Sequence, residues 1–194
     1  MSPVIGILAL QGAVDLHARA LAGLDVASVE VRTPAQLDTV DALILPGGES
    51  SAISKLLVLN HLFDPLQERL ADGMPALGTC AGMILLAAGV LDGRADQRSL
   101  AAIDIDVRRN AFGRQNDSFE TDLPVAGIEG DLVHAVFIRA PIVERVGAGV
   151  EVLATIDDGR AVACRQGGVV VTSFHPELST DLRVHQLFLS GVAA

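Results

Sequence analysis

Cys80 is the residue of this sequence whose neighbours point most clearly to chemistry. It lies in the segment Gly78-Thr-Cys-Ala-Gly82, between a short apolar run and a second apolar stretch. The pattern glycine-x-nucleophile-x-glycine is typical of a strained strand-to-helix turn that exposes the reactive atom. Glycines at both ends fit such a turn because side chains there would collide where strand and helix approach each other. The N-terminus of the following helix favours a thiolate, so the motif predicts that Cys80 is a nucleophile.

A second polar motif, Ser173-Phe-His-Pro-Glu177, directly follows a β-branched run near the C-terminus. The carboxyl ends of parallel strands meet at one edge of a sheet, which allows His175 to approach Cys80. A nucleophilic thiol needs a base beside it and a third group that orients the imidazole. Pro176 favours an extended link, so both His175 and Glu177 face one crevice. We therefore predict a catalytic triad of Cys80, His175 and Glu177 rather than an isolated surface histidine.

The turn Pro46-Gly-Gly-Glu-Ser50 supplies a third chemical element. It follows a predicted strand and precedes a predicted helix, which places it on the same sheet edge as Cys80. Unshielded N–H groups of Gly47 and Gly48 suit an oxyanion hole, with the N–H of Ala81 as a further donor. A plain tight turn is the alternative. A phosphate-binding loop is disfavoured because the Lys-Ser/Thr pair is missing.

The hydrophobic pattern along the chain predicts an α/β fold: a doubly wound, mostly parallel sheet flanked by helices, with an antiparallel extension. One domain is expected to span residues 1–194. Leu16, Ala20 and Leu24 are spaced for the buried face of a first helix, and Ser50 and Ser51 for the cap of another. The predicted strands cover residues 4–10, 26–31, 41–45, 75–79, 101–107, 133–138, 150–156, 160–165 and 169–174. Further helices are predicted after Cys80, over residues 62–70 and over residues 181–192.

Composition and charge exclude several classes of function. The 194 residues carry a net charge of −10, and no basic stripe is visible that would neutralise nucleic-acid phosphates. The uncharged stretch 74–91 is interrupted by proline and glycines, so we expect no membrane span. Two cysteines do not make a disulfide framework, which favours a reducing, cytoplasmic location. Outside the motif the histidines show no metal-ligand spacing, and surface or core positions are expected for His17, His61, His134 and His185.

The strand-to-helix turn of residues 78–82, called the elbow below, and the distant His-Pro-Glu motif resemble those of the class I glutamine amidotransferases. Over nearly the whole chain, the similarity extends to the glutaminase subunits of pyridoxal 5′-phosphate synthase. The segments that carry it are Gly6-Ile-Leu-Ala-Leu-Gln-Gly12, Leu45-Pro-Gly-Gly-Glu-Ser-Ser51, Arg109-Asn-Ala-Phe-Gly-Arg-Gln115, Ser118-Phe-Glu120, Phe137-Ile-Arg-Ala-Pro141 and Ser173-Phe-His-Pro-Glu177.

This resemblance implies hydrolysis of L-glutamine to glutamate and ammonia through a cysteine thioester. The ammonia would pass to a synthase subunit that combines it with a pentose phosphate and a triose phosphate, in vitamin B6 biosynthesis. No cofactor is implied for this chain, because pyridoxal 5′-phosphate is the product of the complex. The implied glutamine contacts come from Gly48, Glu49, Ser50, Arg109, Ile138 and Arg139. Gln11 is expected to order the oxyanion loop or to touch the synthase partner.

Two alternatives remain open at the level of the sequence. One is another enzyme on the same scaffold, either a glutaminase for a different acceptor synthase or a cysteine hydrolase. The other is a catalytically silent docking subunit. The intact set of Cys80, His175 and Glu177 argues against the silent subunit, which would have no need of a triad.

Overall fold

A central seven-stranded sheet organises the chain. A computed structural model describes residues 3–109 and 118–192. The strand order is β10-β11-β12-β4-β3-β1-β2. Neighbours from β12 to β2 are parallel, whereas the pairs β10–β11 and β11–β12 are antiparallel. Its strands are β1 (Ile5–Leu8), β2 (Ser28–Val31), β3 (Ala42–Leu45), β4 (Ala76–Thr79), β10 (Glu151–Thr155), β11 (Ala161–Gln166) and β12 (Val169–Thr172). This is the predicted parallel sheet with an antiparallel extension.

Smaller sheets and the helices complete the described part of the chain. The order β5-β6-β9 forms one sheet, and β7 pairs with β8 in a second. Their strands are β5 (Ala87–Val90), β6 (Ile103–Arg108), β7 (Phe119–Leu123), β8 (Val133–Phe137) and β9 (Ile142–Val146). The helices are α1 (Val14–Ala22), α2 (Pro34–Leu37), α3 (Ser50–Leu59), α4 (Phe63–Ala71), α5 (Ala81–Leu86) and α6 (Arg183–Val192), and a 3-10 turn covers Pro176–Leu178.

Two hydrophobic clusters occupy the two faces of the central sheet. Side chains alternate along a strand, and in β3 Leu43 and Leu45 belong to one cluster while Ala42 and Ile44 belong to the other. The first cluster packs against α3, α4 and α5, and the second against α1 and α6. Burial on both faces explains why the strands of this sheet are so uniformly apolar. The arrangement is doubly wound, as predicted.

Several local predictions are wrong. Of the three residues predicted for the buried face of α1, Ala20 is confirmed, Leu16 is only half-buried and Leu24 lies beyond the end of the helix; His17 and Leu21 complete that face. The N-cap of α3 is Glu49, whose carboxylate accepts from the Ser51 N–H at 3.0 Å, so neither predicted serine is the cap residue.

The chain after the elbow also differs from the prediction. The helix that follows it ends at Leu86, and residues 87–90 pair with β6 instead of continuing it. Strands β7 and β9 are additional to those predicted.

Candidate active site

The strand-to-helix elbow has the predicted strained geometry. Cys80 lies between β4 and α5 with φ 49° and ψ −101°, a conformation rarely adopted by residues other than glycine. A Cβ atom at Gly78 would lie 2.7 Å from the backbone of Gly82, and one at Gly82 would overlap the carbonyl oxygen of Leu45. Both glycines are therefore required by close approach of helix and sheet. The elbow leaves Cys80 only 7% exposed, at the floor of a pocket.

Neighbouring strands bring His175 to Cys80. Strand β12 runs parallel to β4 with Thr172 opposite Thr79, so the residues after each strand emerge at the same edge. The backbone N–H of Cys80 donates to the carbonyl of Thr172 at 2.8 Å, and that of His175 donates to Val136 at 2.9 Å. These main-chain bonds place both residues at one edge of the sheet, where both line the same cavity.

Glu177 lies behind the imidazole of His175. The Nδ1 atom of His175 is 2.7 Å from Oε1 of Glu177, whose side chain is fully buried. With Nδ1 donating to this carboxylate, Nε2 is the ring nitrogen left for the thiol. The order thiol, imidazole and carboxylate is that of a nucleophilic triad.

The charges of this cluster support one another. Burial lowers the pKa of His175, but its hydrogen bonds and charge interactions with Cys80 and Glu177 outweigh burial and raise that pKa to about 10. Burial raises the pKa of Glu177, yet its interactions with His175 and His17 lower that pKa overall. The cluster therefore favours an imidazolium form of His175 beside the Glu177 carboxylate. By contrast, burial raises the pKa of the Cys164 thiol to about 11, as expected for an inert core cysteine.

The glycine loop, residues 46–49 between β3 and α3, is held from two sides. The N–H of Gly47 donates to Oγ1 of Thr79 at 3.1 Å, and the carbonyl of Gly47 accepts from Ala13 at 3.3 Å. The C=O and N–H of a trans peptide point in opposite directions, so the N–H of Gly48 points away from Ala13. In this conformation the N–H of Gly47 is engaged by Thr79 and does not face the cavity as a free donor, so its predicted oxyanion role stays a prediction.

Two predicted donors remain, together with the residue expected to order the loop. Ala81 is the first residue of α5, and the first N–H groups of a helix have no acceptor within it. Gly48 lines the pocket. Oε1 of Gln11 accepts from the N–H of Glu49 at 3.0 Å, so Gln11 is bonded to the glycine loop.

One cavity of about 240 Å³ collects most of the predicted site residues. It is lined by Gly47, Gly48, Glu49, Ser50, Cys80, Ile84, Arg109, Ile138, Arg139 and His175. Glu177 and Ala81 do not line the cavity: both are buried, Glu177 against His175 and Ala81 directly after Cys80. The carbonyl oxygen of Ile138 lies 3.9 Å from Sγ of Cys80, and Arg139 has a strained φ of 45°. The expected glutamine-contacting residues therefore surround the thiol.

Arg109 is held in place by polar side chains. Its Nη1 donates to Oε1 of Gln97 at 3.0 Å, and its Nη2 is 3.4 Å from Oε1 of Glu49. Gln97 also donates to Oγ of Ser50 at 3.2 Å. The pKa of Glu49 is lowered, first by the backbone N–H of Ser51 and also by the charges of Arg109 and Arg139. A guanidinium held in place at the wall of this cavity suits the recognition of a carboxylate.

Sequence reasoning missed three residues of this site. Ile84 lines the cavity, Gln97 positions Arg109, and Thr79 holds the glycine loop. Only Thr79 carried a signal, as a polar residue at the end of a buried strand. Of the segment Arg109–Gln115, residues 110–115 lie outside the described residues.

Two properties of residues 3–109 and 118–192 bear on other classes of function. Within these ranges no group of three or more His, Cys, Asp or Glu side chains is arranged to hold a metal ion. Over the same residues, the helices are all too short or too polar to span a membrane.

A family model, full-length relatives and a solved structure are all similar to this chain. The model of the "SNO glutamine amidotransferase family" matches residues 7–194. The chain is 60% identical to "Pyridoxal 5′-phosphate synthase subunit PdxT" of Nocardia farcinica, over 99% of this chain and 87% of that protein. It is 56% identical to the protein of the same name from Salinispora tropica, over 100% and 98%. A solved structure described as "Crystal structure of glutamine amidotransferase" has a TM-score of 0.91 and 44% identity, and the alignment covers 98% of this chain and 99% of that one.

Proposed function

Since the chain belongs to the SNO glutamine amidotransferase family, we propose that it is the glutaminase subunit of a pyridoxal 5′-phosphate synthase. It hydrolyses L-glutamine to L-glutamate and ammonia, with Cys80 as nucleophile, His175 as acid and base, and Glu177 as the group that orients His175. The observation that carries these roles is the strained Cys80 beside His175, whose Nδ1 lies 2.7 Å from Glu177.

In the first half-reaction the Cys80 thiolate attacks the side-chain amide carbon of glutamine. A carbon–sulfur bond forms, and the carbonyl oxygen takes the negative charge within reach of the N–H groups of Gly48 and Ala81. The imidazolium of His175 then gives its proton to the amide nitrogen. Ammonia leaves as the carbon–nitrogen bond breaks, and a γ-glutamyl thioester remains on Cys80.

In the second half-reaction water hydrolyses the thioester. Neutral His175 takes a proton from the attacking water, a new tetrahedral centre forms, and the carbon–sulfur bond breaks. Glutamate is released and the thiolate–imidazolium pair is restored. Glu177 keeps the imidazole oriented through both halves, because its hydrogen bond fixes Nδ1 as a donor.

The polar wall of the cavity suits the amino-acid end of glutamine. Arg109, held by Gln97 and Glu49, pairs with the α-carboxylate. The carbonyl of Ile138 accepts from the α-ammonium, and Glu49 adds a negative charge to the same cavity. The backbone around Ser50 and Arg139 completes the pocket, which is sized for one small amino acid.

The partner of this chain is a synthase subunit, which receives the ammonia and forms pyridoxal 5′-phosphate from a pentose phosphate and a triose phosphate. Support comes from the relatives, which are named as subunits of that synthase. A glutaminase that delivers ammonia works in the compartment of its partner. Both cysteines, Cys80 and Cys164, are free thiols, which supports a cytoplasmic location because that compartment keeps thiols reduced.

Ammonia release from glutamine, measured with and without the cognate synthase subunit, tests this function. We expect the parent in the complex to release ammonia and the Cys80→Ala variant to lose at least a thousandfold in kcat. Ammonia release that survives Cys80→Ala would refute the thioester route. A parent that stays inactive with its synthase would instead identify a silent docking subunit.

A further inference from the structure

A chain of buried polar side chains continues behind the triad. His17 of α1 and His185 of α6 are both fully buried, as is Thr79 at the end of β4. Nδ1 of His17 lies 3.0 Å from Nε2 of His185, and Nε2 of His17 lies 3.3 Å from Oγ1 of Thr79. Polar side chains are seldom buried without a partner, and three distant segments converge on this one ring.

The Nε2 atom of His17 also faces the triad carboxylate. It lies 3.6 Å from Oε2 of Glu177, the oxygen that is not bonded to His175. Among the described residues Oε2 has no hydrogen-bond partner, and Nε2 of His17 lies just beyond hydrogen-bond distance. A buried carboxylate oxygen without a donor is destabilising. His17 is therefore the side chain placed to supply a proton donor to that oxygen.

The hydrogen-bonding pattern assigns the tautomers of the two histidines. Burial is the main cause that lowers the pKa of both rings, that of His185 to about 4, so both are neutral at pH 7. Nδ1 of His185 has no partner among the described residues. If His185 carried its proton there, a donor would be buried unpaired, and His17 would turn a lone pair toward Glu177.

The opposite assignment resolves both conflicts. Nε2–H of His185 donates to Nδ1 of His17, and Nε2–H of His17 faces Thr79 and Glu177. Only a bare ring nitrogen of His185 then lacks a partner, which costs less than an unpaired donor or two facing lone pairs.

We propose that His17 is a positioning residue for glutamine hydrolysis, whose Nε2–H holds the Glu177 carboxylate in line with His175. The same atom steadies Thr79, which accepts from the N–H of Gly47 at 3.1 Å. His17 thus links the carboxylate of the triad to the glycine loop at the oxyanion site. This inference rests on the proposed function. The groups that face His17 are Thr79, Glu177 and His185, with the charge of His175 beyond them.

A matched pair of substitutions separates this role from simple packing. The side-chain amide of glutamine reaches the position of Nε2 in histidine, whereas that of asparagine reaches only the position of Nδ1. We expect His17→Gln in the complex with the synthase subunit to keep kcat within about threefold of the parent. We expect His17→Asn to lower kcat at least tenfold with KM for glutamine unchanged, because Glu177 loses its donor.

The pH profile of Cys80 alkylation by iodoacetamide gives a readout that packing alone would not move. His17→Asn is expected to shift this profile, because the Glu177–His175 pair that supports the thiolate is loosened, whereas His17→Gln is expected to match the parent. Equal kcat values and equal profiles for the two variants would overturn the proposal. A loss that appears only in KM would overturn it as well.

The parent itself provides a test that needs no variant. Nitrogen-15 NMR of the histidine rings is expected to show His17 neutral with its proton on Nε2; a proton on Nδ1 would refute the assignment even if His17→Asn failed to fold. Failure of the proposed function is recognised separately, by ammonia release that survives Cys80→Ala.

Discussion

Gly47 is the glycine whose replacement should damage the site most selectively. A Cβ atom built there would overlap Cε1 of His175, lie 2.9 Å from its Nδ1 and 3.4 Å from Cβ of Cys80. The backbone of Gly47 is outside the positive-φ region, so alanine is compatible with its conformation. The Gly47→Ala variant is therefore expected to fold and to fail in the placement of His175.

The size of the effect follows from the overlap. Non-bonded carbon atoms prefer separations of about 3.5–4.0 Å, so the imidazole or the loop must move by about 1 Å. A misplacement of about 1 Å in a reacting group costs roughly a hundredfold in rate. We expect kcat for glutamine hydrolysis to fall about a hundredfold in Gly47→Ala.

The assay is ammonia release by the complex with the synthase subunit, together with thermal unfolding of the isolated chain. Gly191→Ala is the matched control, because a Cβ atom at that exposed position on α6 meets no atom within 4 Å. The control should retain the parent's kcat. A Gly47→Ala variant that stays within threefold of the parent would show that the contact between loop and imidazole does not govern the reaction.

Other changes test single interactions of the site and its surroundings. Arg109→Gln should raise KM for glutamine about 10- to 100-fold, since a charged hydrogen bond is worth about 1.5–3 kcal/mol. The control Arg108→Gln, which removes an exposed pair with Glu144, should leave KM unchanged, and equal KM values for the two variants would contradict the role of Arg109. Glu177→Gln removes an interaction that raises the pKa of His175, so NMR should find the imidazole of His175 titrating at lower pH than in the parent. An unchanged titration midpoint for His175 would count against its pairing with Glu177. The pKa of His185 is lowered to about 4, so its stability contribution is present above the unfolded pKa of about 6.5 and is lost as pH falls through about 4. Urea unfolding of His185→Gln should therefore show a smaller loss of stability across that range than the parent, and an equal loss would contradict the prediction.

The sequence was most informative where chemistry and backbone geometry constrain the same residues. The glycines on either side of Cys80 and the motif around His175 follow from the needs of an elbow and of a strand end. Parallel pairing of β4 with β12 then brings the two motifs together, as the apolar runs predicted.

Features decided by tertiary contacts were not predictable from local patterns. The stretch after the elbow is apolar throughout, and an apolar run does not distinguish helix from strand. Pairing with β6 makes residues 87–90 a strand. The burial of His17 was equally hidden, because its partners Thr79, Glu177 and His185 come from three separate parts of the chain.

Trapping the covalent intermediate addresses the role of Cys80 without relying on a loss of activity. The complex is supplied with glutamine, quenched in acid during turnover, digested and analysed by mass spectrometry. The peptide that contains Cys80 should carry one γ-glutamyl group, and the peptide that contains Cys164 should carry none, since burial keeps that thiol protonated. Turnover with no adduct on Cys80, together with ammonia release by Cys80→Ala, would contradict nucleophilic attack by this residue.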